Sequence, residues 1–432
     1  MNDAEQTRQI RAWAFYDWAN SAFATTVMAG FFPLFFQNFW SVGVDPTTST
    51  ARLGIANGVA GFIVAVLAPL LGAVADSAGR RKAFLLFWAG FGIVSTGALF
   101  WVAQGEWLAA FWLFVGGSIG FSAANIFYDA LITDVARPNA YDRVSSYGYA
   151  LGYLGGGLLF LLNVLMYGNW KWFGLKDATE AVHIAFLTVA LWWALFTIPL
   201  ARRVVEQLPA QRMGLAAAAA SGIRELAATL RRLPKYRELW IFLLAYWLYI
   251  DGVNTIIKMA VDYGIAIGLP SSALIQALLL TQFVAFPASL WFGRYAGRHG
   301  ARRGILLGLA VYIVATCYAF FLDTALEFFG LAVAIGLVQG GVQSLSRSFF
   351  GRLVPEGHSG EFFGFYNMMG KFATVVGPLL VAAVALATGS SRASIMSLVL
   401  LFVGGGLLLL LVREPAAGQN IGQNIGQPQG ER

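Results

Sequence analysis

The chain has 432 residues, of which 58% are hydrophobic and only 12% are charged, whereas soluble domains are about 45–50% apolar and about 25% charged. This composition excludes a water-soluble globular protein and predicts an integral membrane protein. The single cysteine excludes an internal disulfide, and three widely separated histidines provide no ligand-spaced pair, so no metal or other cofactor is expected. The net charge of +7 comes from basic segments between apolar runs, which is typical of membrane insertion signals and not of nucleic-acid binding.

Apolar runs of about 20 residues, the length that crosses the hydrocarbon core of a bilayer, occur repeatedly along the chain. In chain order they lie near 13–37, 53–75, 83–103, 107–133, 145–167, 181–201, 239–262, 272–293, 304–322, 327–349, 362–388 and 393–412. We number them as predicted spans 1 to 12. Residues 1–12 are polar and lack the features of a cleaved signal peptide, so we expect span 1 to be retained.

The distribution of Lys and Arg predicts the orientation of these spans. With the amino terminus in the cytoplasm, 23 of the 29 Lys and Arg residues fall on the cytoplasmic side, as the positive-inside rule requires. An even number of spans then places both termini there. The basic segment 202–237 is interpreted as a cytoplasmic linker between two halves, 1–201 and 238–415, and the repetitive tail 416–432 as disordered.

The two halves carry related patterns. Residues 17–21 of span 1 and 251–255 of span 7 share the spacing D-x-x-N-[S/T], and the loops 72–82 and 293–303 share the same interval between glycines. Six spans, an even number, separate the copies. The sequence therefore predicts parallel repeats related by an axis along the membrane normal.

The loop after span 2 reads G-x-x-A-D-x-x-G-R-R-K and has a physical interpretation of its own. Its first glycine permits close helix approach, its last glycine allows a tight turn, and its basic residues hold the turn in the cytoplasm. We expect its aspartate, and a second one at the end of span 4, to pair with the arginines as a latch; the alternative is a basic loop that only enforces topology. The predicted gate residues are Gly72, Asp76, Gly79, Arg80, Arg81 and Asp134.

Together with the twelve spans and the parallel halves, this loop and its degenerate second copy resemble the major facilitator superfamily. The string W-A-F-Y-D-W-A-N-S-A-F at 13–23, with segments 249–252 and 339–347, is similar to the vacuole-effluxer-like branch of that superfamily. The resemblance implies an all-α integral membrane protein with two parallel-repeat six-helix bundles, in which spans 1, 4, 7 and 10 line a central cavity. Fungal members of the branch are associated with amino-acid export from the vacuole, whereas this compact chain looks like a bacterial relative.

Ionisable side chains inside a bilayer cost roughly 2.5–3.5 kcal/mol each, so each embedded one needs a partner, water or a function. On span 7, Asp251, Asn254, Lys258 and Asp262 share one helical face, and spans 1, 4 and 10 carry similar polar stripes. One lysine lies deep in span 11. The residues expected to bind substrate or a coupling ion are Asp17, Asn20, Asn125, Asp129, Asp251, Asn254, Lys258, Gln339, Gln343, Arg347 and Lys371.

Structural interpretations remain open for several of these side chains. Asp17 is equally compatible with a cap or latch at the cytoplasmic rim, and Asp129 with a structural contact to a basic neighbour. Asp251 and Lys258 are also compatible with a purely structural ion pair.

The expected function is secondary active transport of a small polar or zwitterionic, amino-acid-like solute by alternating access. We expect a monomer in the bacterial cytoplasmic membrane that exports its solute and is coupled to protons, with sodium coupling and facilitated diffusion left open. The alternatives are an exporter of lipid or amphipathic drugs, a non-transporting sensor, and a membrane enzyme. The scattered histidines argue against the enzyme, because they supply no clustered catalytic site.

Overall fold

A computed structural model describes most of the chain. The described ranges are 3–44, 46–206, 237–266, 268–355, 357–373 and 376–414, with a few positions between 217 and 228. Every regular element within these ranges is a helix. Twelve helical segments of the described chain are long and apolar enough to cross a membrane, which confirms the predicted number of spans and the all-α class.

We number the helices α1 to α12 after the spans to which they belong, adding a and b where a span has two pieces. Their bounds are α1 Asp3–Ala22, α2 Pro46–Ala78, α3 Arg81–Ala98, α4 Trp107–Ala130, α5 Tyr141–Gly168, α6 Ala178–Arg203, α7 Arg237–Ala266, α8 Ser271–His299, α9 Ala301–Ala319, α10 Ala325–Leu353, α11a Ser359–Phe372, α11b Val376–Thr388, α12a Ser391–Met396 and α12b Val399–Leu410. α1 continues to Trp40 through π-helical turns, and a short helix, Ile132–Val135, follows α4. α1 begins well before its apolar run, because polar residues extend the helix beyond the hydrocarbon core.

The same helix pairs pack in both halves. In the first half α4 packs against α2 and α3, and α6 packs against α1 and α3. In the second half α10 packs against α8 and α9, and α12b packs against α7 and α9. Since each pair recurs six spans later, the two six-helix bundles of the predicted parallel repeat are present.

Glycines on α5 allow it to approach α1 closely within the first bundle. A Cβ atom at Gly152 would lie 2.6 Å from the Ser21 hydroxyl oxygen, and one at Gly155 would lie 2.6 Å from the Trp18 ring. Side chains at these positions would force the helices apart. Small residues at such crossings let backbones pack in the absence of a hydrophobic driving force.

Candidate functional site

A chamber of about 410 Å³ lies between the bundles and is lined from both halves. Its charged lining residues and most of its carboxamide side chains lie near the end of the molecule at which α1 begins and α12b ends. Its apolar lining residues, such as Leu274, Ala319 and Phe328, lie toward the opposite helix ends. The chamber therefore has a polar base and largely apolar upper walls.

Arg347 of α10 is the centre of the polar base and is 1% exposed. Its Nη1 donates to Asp129 at 3.0 Å, and both Nη1 and Nη2 lie 3.5 Å from Asp17 Oδ2. Its Nε and Nη2 also donate to the hydroxyl and the carbonyl of Ser145 on α5, at 2.8 and 2.9 Å. One guanidinium thus links α1, α4, α5 and α10, and a fully paired arginine is the form in which such a group is tolerated inside a membrane protein.

Aromatic rings surround the same guanidinium. Its carbon lies 4.9 Å from the ring centre of Trp13, 5.2 Å from that of Tyr128 and 4.4 Å from that of Tyr149. The electron-rich faces of such rings attract a cation at these distances. They also exclude water, which strengthens the ion pairs beneath them.

Neutral polar side chains complete the base. Asn20 donates to Asn125 at 2.6 Å between α1 and α4, and the Tyr153 hydroxyl donates to Gln343 at 2.7 Å between α5 and α10. The second of these bonds joins the two halves. The base is therefore a connected network across the bundle interface, and it reorganises if the halves separate.

The structure brings most of the predicted substrate-site residues together. The predicted residues that line the chamber are Asp17, Asn20, Asn125, Asp129, Gln339, Gln343 and Arg347. Asp251, Asn254 and Lys371 are not among the described lining residues. The side chain of Lys258 lies outside the described part of the structure, as does that of Asp262.

Asp251 faces α11b and not the chamber. Its Oδ2 accepts the backbone N–H of Gly377 at 2.7 Å, and it is 1% exposed. A carboxylate at the first turn of a helix satisfies N–H groups that have no partner within the helix. In this state the polar face predicted for α7 thus serves helix packing at Asp251, and its role in binding remains a prediction.

Tyrosines form a part of the chamber that sequence reasoning missed. Tyr128, Tyr149, Tyr153, Tyr246 and Tyr366 line it, together with Asn367. Tyr149 and Tyr153 are spaced by one helical turn within the glycine-rich face of α5, which is a signal for a shared surface. Aromatic residues near span ends also occur at the membrane interface, and the sequence offers no direct means of separating the two environments.

The chamber is closed at its polar end by contacts between α2 and α11a. A Cβ atom at Gly72 would overlap the backbone carbonyl of Gly360, so the two helices touch directly. Asp76 accepts the backbone N–H groups of Gly360 at 3.0 Å and Glu361 at 2.9 Å, which lie in the first turn of α11a. The helix start favours a carboxylate at this position.

The predicted gate residues surround this contact. Arg81 lies between the two aspartates of the first half, with its Nε 2.5 Å from Asp76 and its Nη1 3.0 Å from Asp134. Gly79 has a φ of +60° and forms the tight turn, while Arg80 is exposed. The geometry is that of the expected latch, with Arg81 as the arginine that forms it.

A second ion pair closes the same end between α5 and α10, and sequence reasoning did not anticipate it. Arg352 donates to both oxygens of Asp142 at 3.0 Å, and Ser348 donates to Oδ1 at 2.5 Å. Both charged side chains are nearly inaccessible, at 5% and 8% exposure. A paired arginine and carboxylate with this geometry form a strong, directional contact.

The described residues include no group of three or more His, Cys, Asp and Glu side chains arranged to hold a metal ion. The site instead offers one buried guanidinium, two carboxylates, several tyrosines and carboxamides around the chamber. Such an arrangement can bind a small solute by hydrogen bonds and by an ion pair at a carboxylate.

Comparison with known proteins agrees with this architecture. The family model for vacuole effluxer Atg22-like proteins matches residues 46–420. An uncharacterised MFS-type transporter, YxiO of Bacillus subtilis, is 39% identical over 94% of this chain and 95% of its own length. Autophagy-related protein 22-2 of Penicillium rubens is 28% identical over 60% of this chain, and the match spans 48% of that protein.

Solved structures give the same fold. The human organic anion transporter MFSD10 superposes with a TM-score of 0.72 at 18% identity, over 95% of this chain and all of that one. At this identity the similarity shows the fold alone. The relatives found by sequence and by structure are transporters and not enzymes. The chain belongs to the vacuole effluxer Atg22-like family of the major facilitator superfamily.

Proposed function

We propose that this transporter exports a small polar or zwitterionic, amino-acid-like solute across the bacterial cytoplasmic membrane by alternating access, with protons as the coupling ion. The observation that carries the proposal is the chamber itself, which has a charged base built from both halves. In this proposal the units that move are 1–201 and 238–415, joined by the linker 202–237, in a monomer with both termini in the cytoplasm.

The closed end of the chamber supports a cycle between two states. Contacts of α2 with α11a and of α5 with α10 seal the end near Arg347, which is the cytoplasmic end in the predicted orientation. The remaining lining extends toward the opposite helix ends. The described conformation then corresponds to the state that faces outward, and breaking the sealing contacts opens the chamber to the cytoplasm.

The apolar upper walls favour a second candidate function. Side chains such as Ile257, Leu278, Leu331 and Ile335 line the chamber beyond its polar base. An amphipathic drug or lipid-like solute, with a polar group at the base and an apolar body above it, fits this division. The two candidates differ in the apolar area that the solute buries.

Counterflow in proteoliposomes separates the candidates. Proteoliposomes of the full-length protein are loaded with one unlabelled solute at a time, drawn from amino acids, sugars and amphipathic cations. Uptake of the same solute in labelled form is then compared with and without an imposed proton gradient. We expect amino-acid-like solutes to exchange, and we expect Arg347→Gln to reduce exchange at least about tenfold because it leaves buried carboxylates unpaired. The exposed Arg298→Gln is the matched control.

Two results of this experiment contradict the proposal. Exchange of amphipathic cations alone would favour the drug exporter. Absence of exchange for every solute, with a folded protein in the membrane, would favour a sensor without transport activity.

A further inference from the structure

The base of the chamber carries more negative than positive charge. The charged lining residues that the structure describes are two carboxylates, Asp17 and Asp129, and one guanidinium, Arg347. With all three ionised, this cluster has one excess negative charge. A buried excess charge is unfavourable unless a proton or a bound cation compensates it.

The hydrogen bonds identify which carboxylate is in excess. Asp129 uses both oxygens, because Oδ1 accepts from Arg347 at 3.0 Å and Oδ2 accepts from Asn367 at 3.1 Å. Asp17 uses Oδ2 alone, which accepts from Tyr128 at 2.7 Å and lies 3.5 Å from both terminal nitrogens of Arg347. Within the described chain, Asp17 Oδ1 has no donor, although Asp17 lines the chamber.

Titratable and charged groups face Asp17 from its own helix and from three others. They are Tyr16 on α1, Tyr128 and Asp129 on α4, Tyr149 and Tyr153 on α5, and Arg347 on α10. Arg347 is committed at Nε, Nη1 and Nη2 to Ser145, Asp129 and Asp17, and aromatic rings cover it. Among the lining residues that the structure describes, a solute carboxylate therefore finds no open cation in this state, whereas a solute cation finds Asp17.

We infer that Asp17 is the recognition site for a protonated amine of the solute, and that a proton competes with this amine for the same carboxylate. Either occupant neutralises the excess charge: the ammonium donates an N–H to Oδ1, and the proton binds the carboxylate directly. Only one of them fits at a time, so binding of the amine releases the proton. This competition would couple the export of an amine-bearing solute to proton entry.

The inference rests on the proposed function, since it requires that a solute enter the chamber, and it sharpens that function to solutes that carry an ammonium group. It differs from recognition of a zwitterion by its carboxylate, which would require an unpaired arginine in the chamber. The apolar upper walls accept the rest of the solute.

Three probes that differ only in their charged groups test the inference: phenethylamine, L-phenylalanine and 3-phenylpropionate. Binding is measured by titration calorimetry with the full chain in lipid nanodiscs at pH 6, 7 and 8. We expect phenethylamine and phenylalanine to bind at least about tenfold more tightly than phenylpropionate, because only they place a cation at Asp17. Over the pH range in which Asp17 holds its proton, we expect affinity for phenethylamine to rise about tenfold per pH unit, as one-for-one competition requires.

Two variants distinguish recognition from a structural role. Asp17→Asn keeps the size of the side chain and an acceptor for Tyr128, and we expect it to abolish both the preference for the amine and its pH dependence. Tyr128→Phe removes the hydrogen bond but keeps the charge, so we expect it to retain the preference. Titration of Asp17→Asn also reports any amine that partitions into the lipid.

The outcomes are separable from those of the transport assay. Failure of phenethylamine to bind at pH 8, equal affinity for phenylpropionate, or an unchanged pH dependence in Asp17→Asn each overturns the inference. Amine binding that Asp17→Asn abolishes, in a protein that exchanges no solute, leaves the inference standing while the proposed transport function fails.

Discussion

The two halves meet at the closed end through equivalent helix pairs but with different chemistry. Where α2 meets α11a, Asp76 binds backbone N–H groups of a helix start. Where α8 meets α5, the position equivalent to Asp76 is Gly297, at the offset of the repeated loops. Beside this second contact the carboxylate comes from α5 itself, as Asp142, and its partner is Arg352 of α10.

This difference shows what the repeat has kept and what it has changed. Close approach is kept, since Gly72 and Gly293 both lie against the partner helix. The charged contact is not kept, because one interface uses a helix start and the other uses a side-chain ion pair. Removing one partner destabilises the closed state more at the interface with a buried ion pair, since a charge then stays buried without compensation.

The largest effect is expected from Arg352→Gln, which leaves Asp142 buried without its cation. Removing one partner of a buried pair costs about 3–5 kcal/mol, and it destabilises the closed state relative to the open state. A shift of this size moves most of the population to the other conformation. We expect spin labels at the exposed positions 137 and 298, in a Cys317→Ala background, to show longer distances between the halves.

Control variants alter the contact between α5 and α10 and the contact between α2 and α11a. The double variant Asp142→Asn/Arg352→Gln removes both charges and should restore most of the short distances. Asp76→Asn should open the protein less than Arg352→Gln, because its amide oxygen still accepts an N–H and Arg81 keeps Asp134. Equal opening in Arg352→Gln and the double variant would show that the ion pair is not what holds this interface.

The sequence predicted the latch within the first half and missed both contacts between the halves, for a physical reason. Gly72, Asp76 and Arg81 stand in one short loop, so their spacing alone indicates a turn and a latch. Asp142 and Arg352 lie 210 positions apart in sequence, and no pattern within a helix connects them. The same reason separates Asp17 and Arg347, which were each predicted as site residues but not as partners.

The span count and the polar faces of α1, α4 and α10 were predictable because each depends on spacing along one helix. The face of α7 shows the limit of such reasoning. The spacing places Asp251 on a predicted polar stripe, but periodicity does not say whether such a stripe meets a cavity or a neighbouring helix. Gly377, which donates to Asp251, could be identified only in three dimensions.

A smaller effect is expected from paired glycine substitutions. A Cβ atom at Gly72 meets backbone atoms of Gly360 and Glu361, whereas one at Gly293 lies 2.7 Å from the Cβ of Ser146, a small side chain that can shift. We expect Gly72→Ala to cost the closed state about 1–3 kcal/mol and Gly293→Ala to cost less. The same pair of spin labels measures both, and an equal shift in the two variants would remove the distinction between the interfaces.

The smallest effect concerns two carboxylates that hold equivalent helix starts. Glu206 accepts the N–H of Lys82 at 2.5 Å at the start of α3, and Glu414 accepts those of Ala301 at 2.5 Å and Arg302 at 3.3 Å at the start of α9. Burial raises the pKa of Glu206 above its ordinary value of 4.5, although the Lys82 N–H opposes the shift. The folded state therefore favours its neutral form more than the unfolded state does.

The raised pKa of Glu206 determines whether its contribution to stability falls or rises with pH. The contribution of Glu206 to stability is fully present below its unfolded pKa and is lost as pH rises through the raised pKa of the folded state. Glu206→Gln keeps an acceptor for Lys82 and removes this loss, so its thermal unfolding should vary less with pH than that of the wild type. Glu414→Gln should instead lower stability by about 0.5–1 kcal/mol at pH 7, since its charge faces two N–H donors of a helix start. A larger loss in Glu206→Gln than in Glu414→Gln at pH 8 would contradict the assignment, because it would require the ionised form of Glu206 to be the stabilising one.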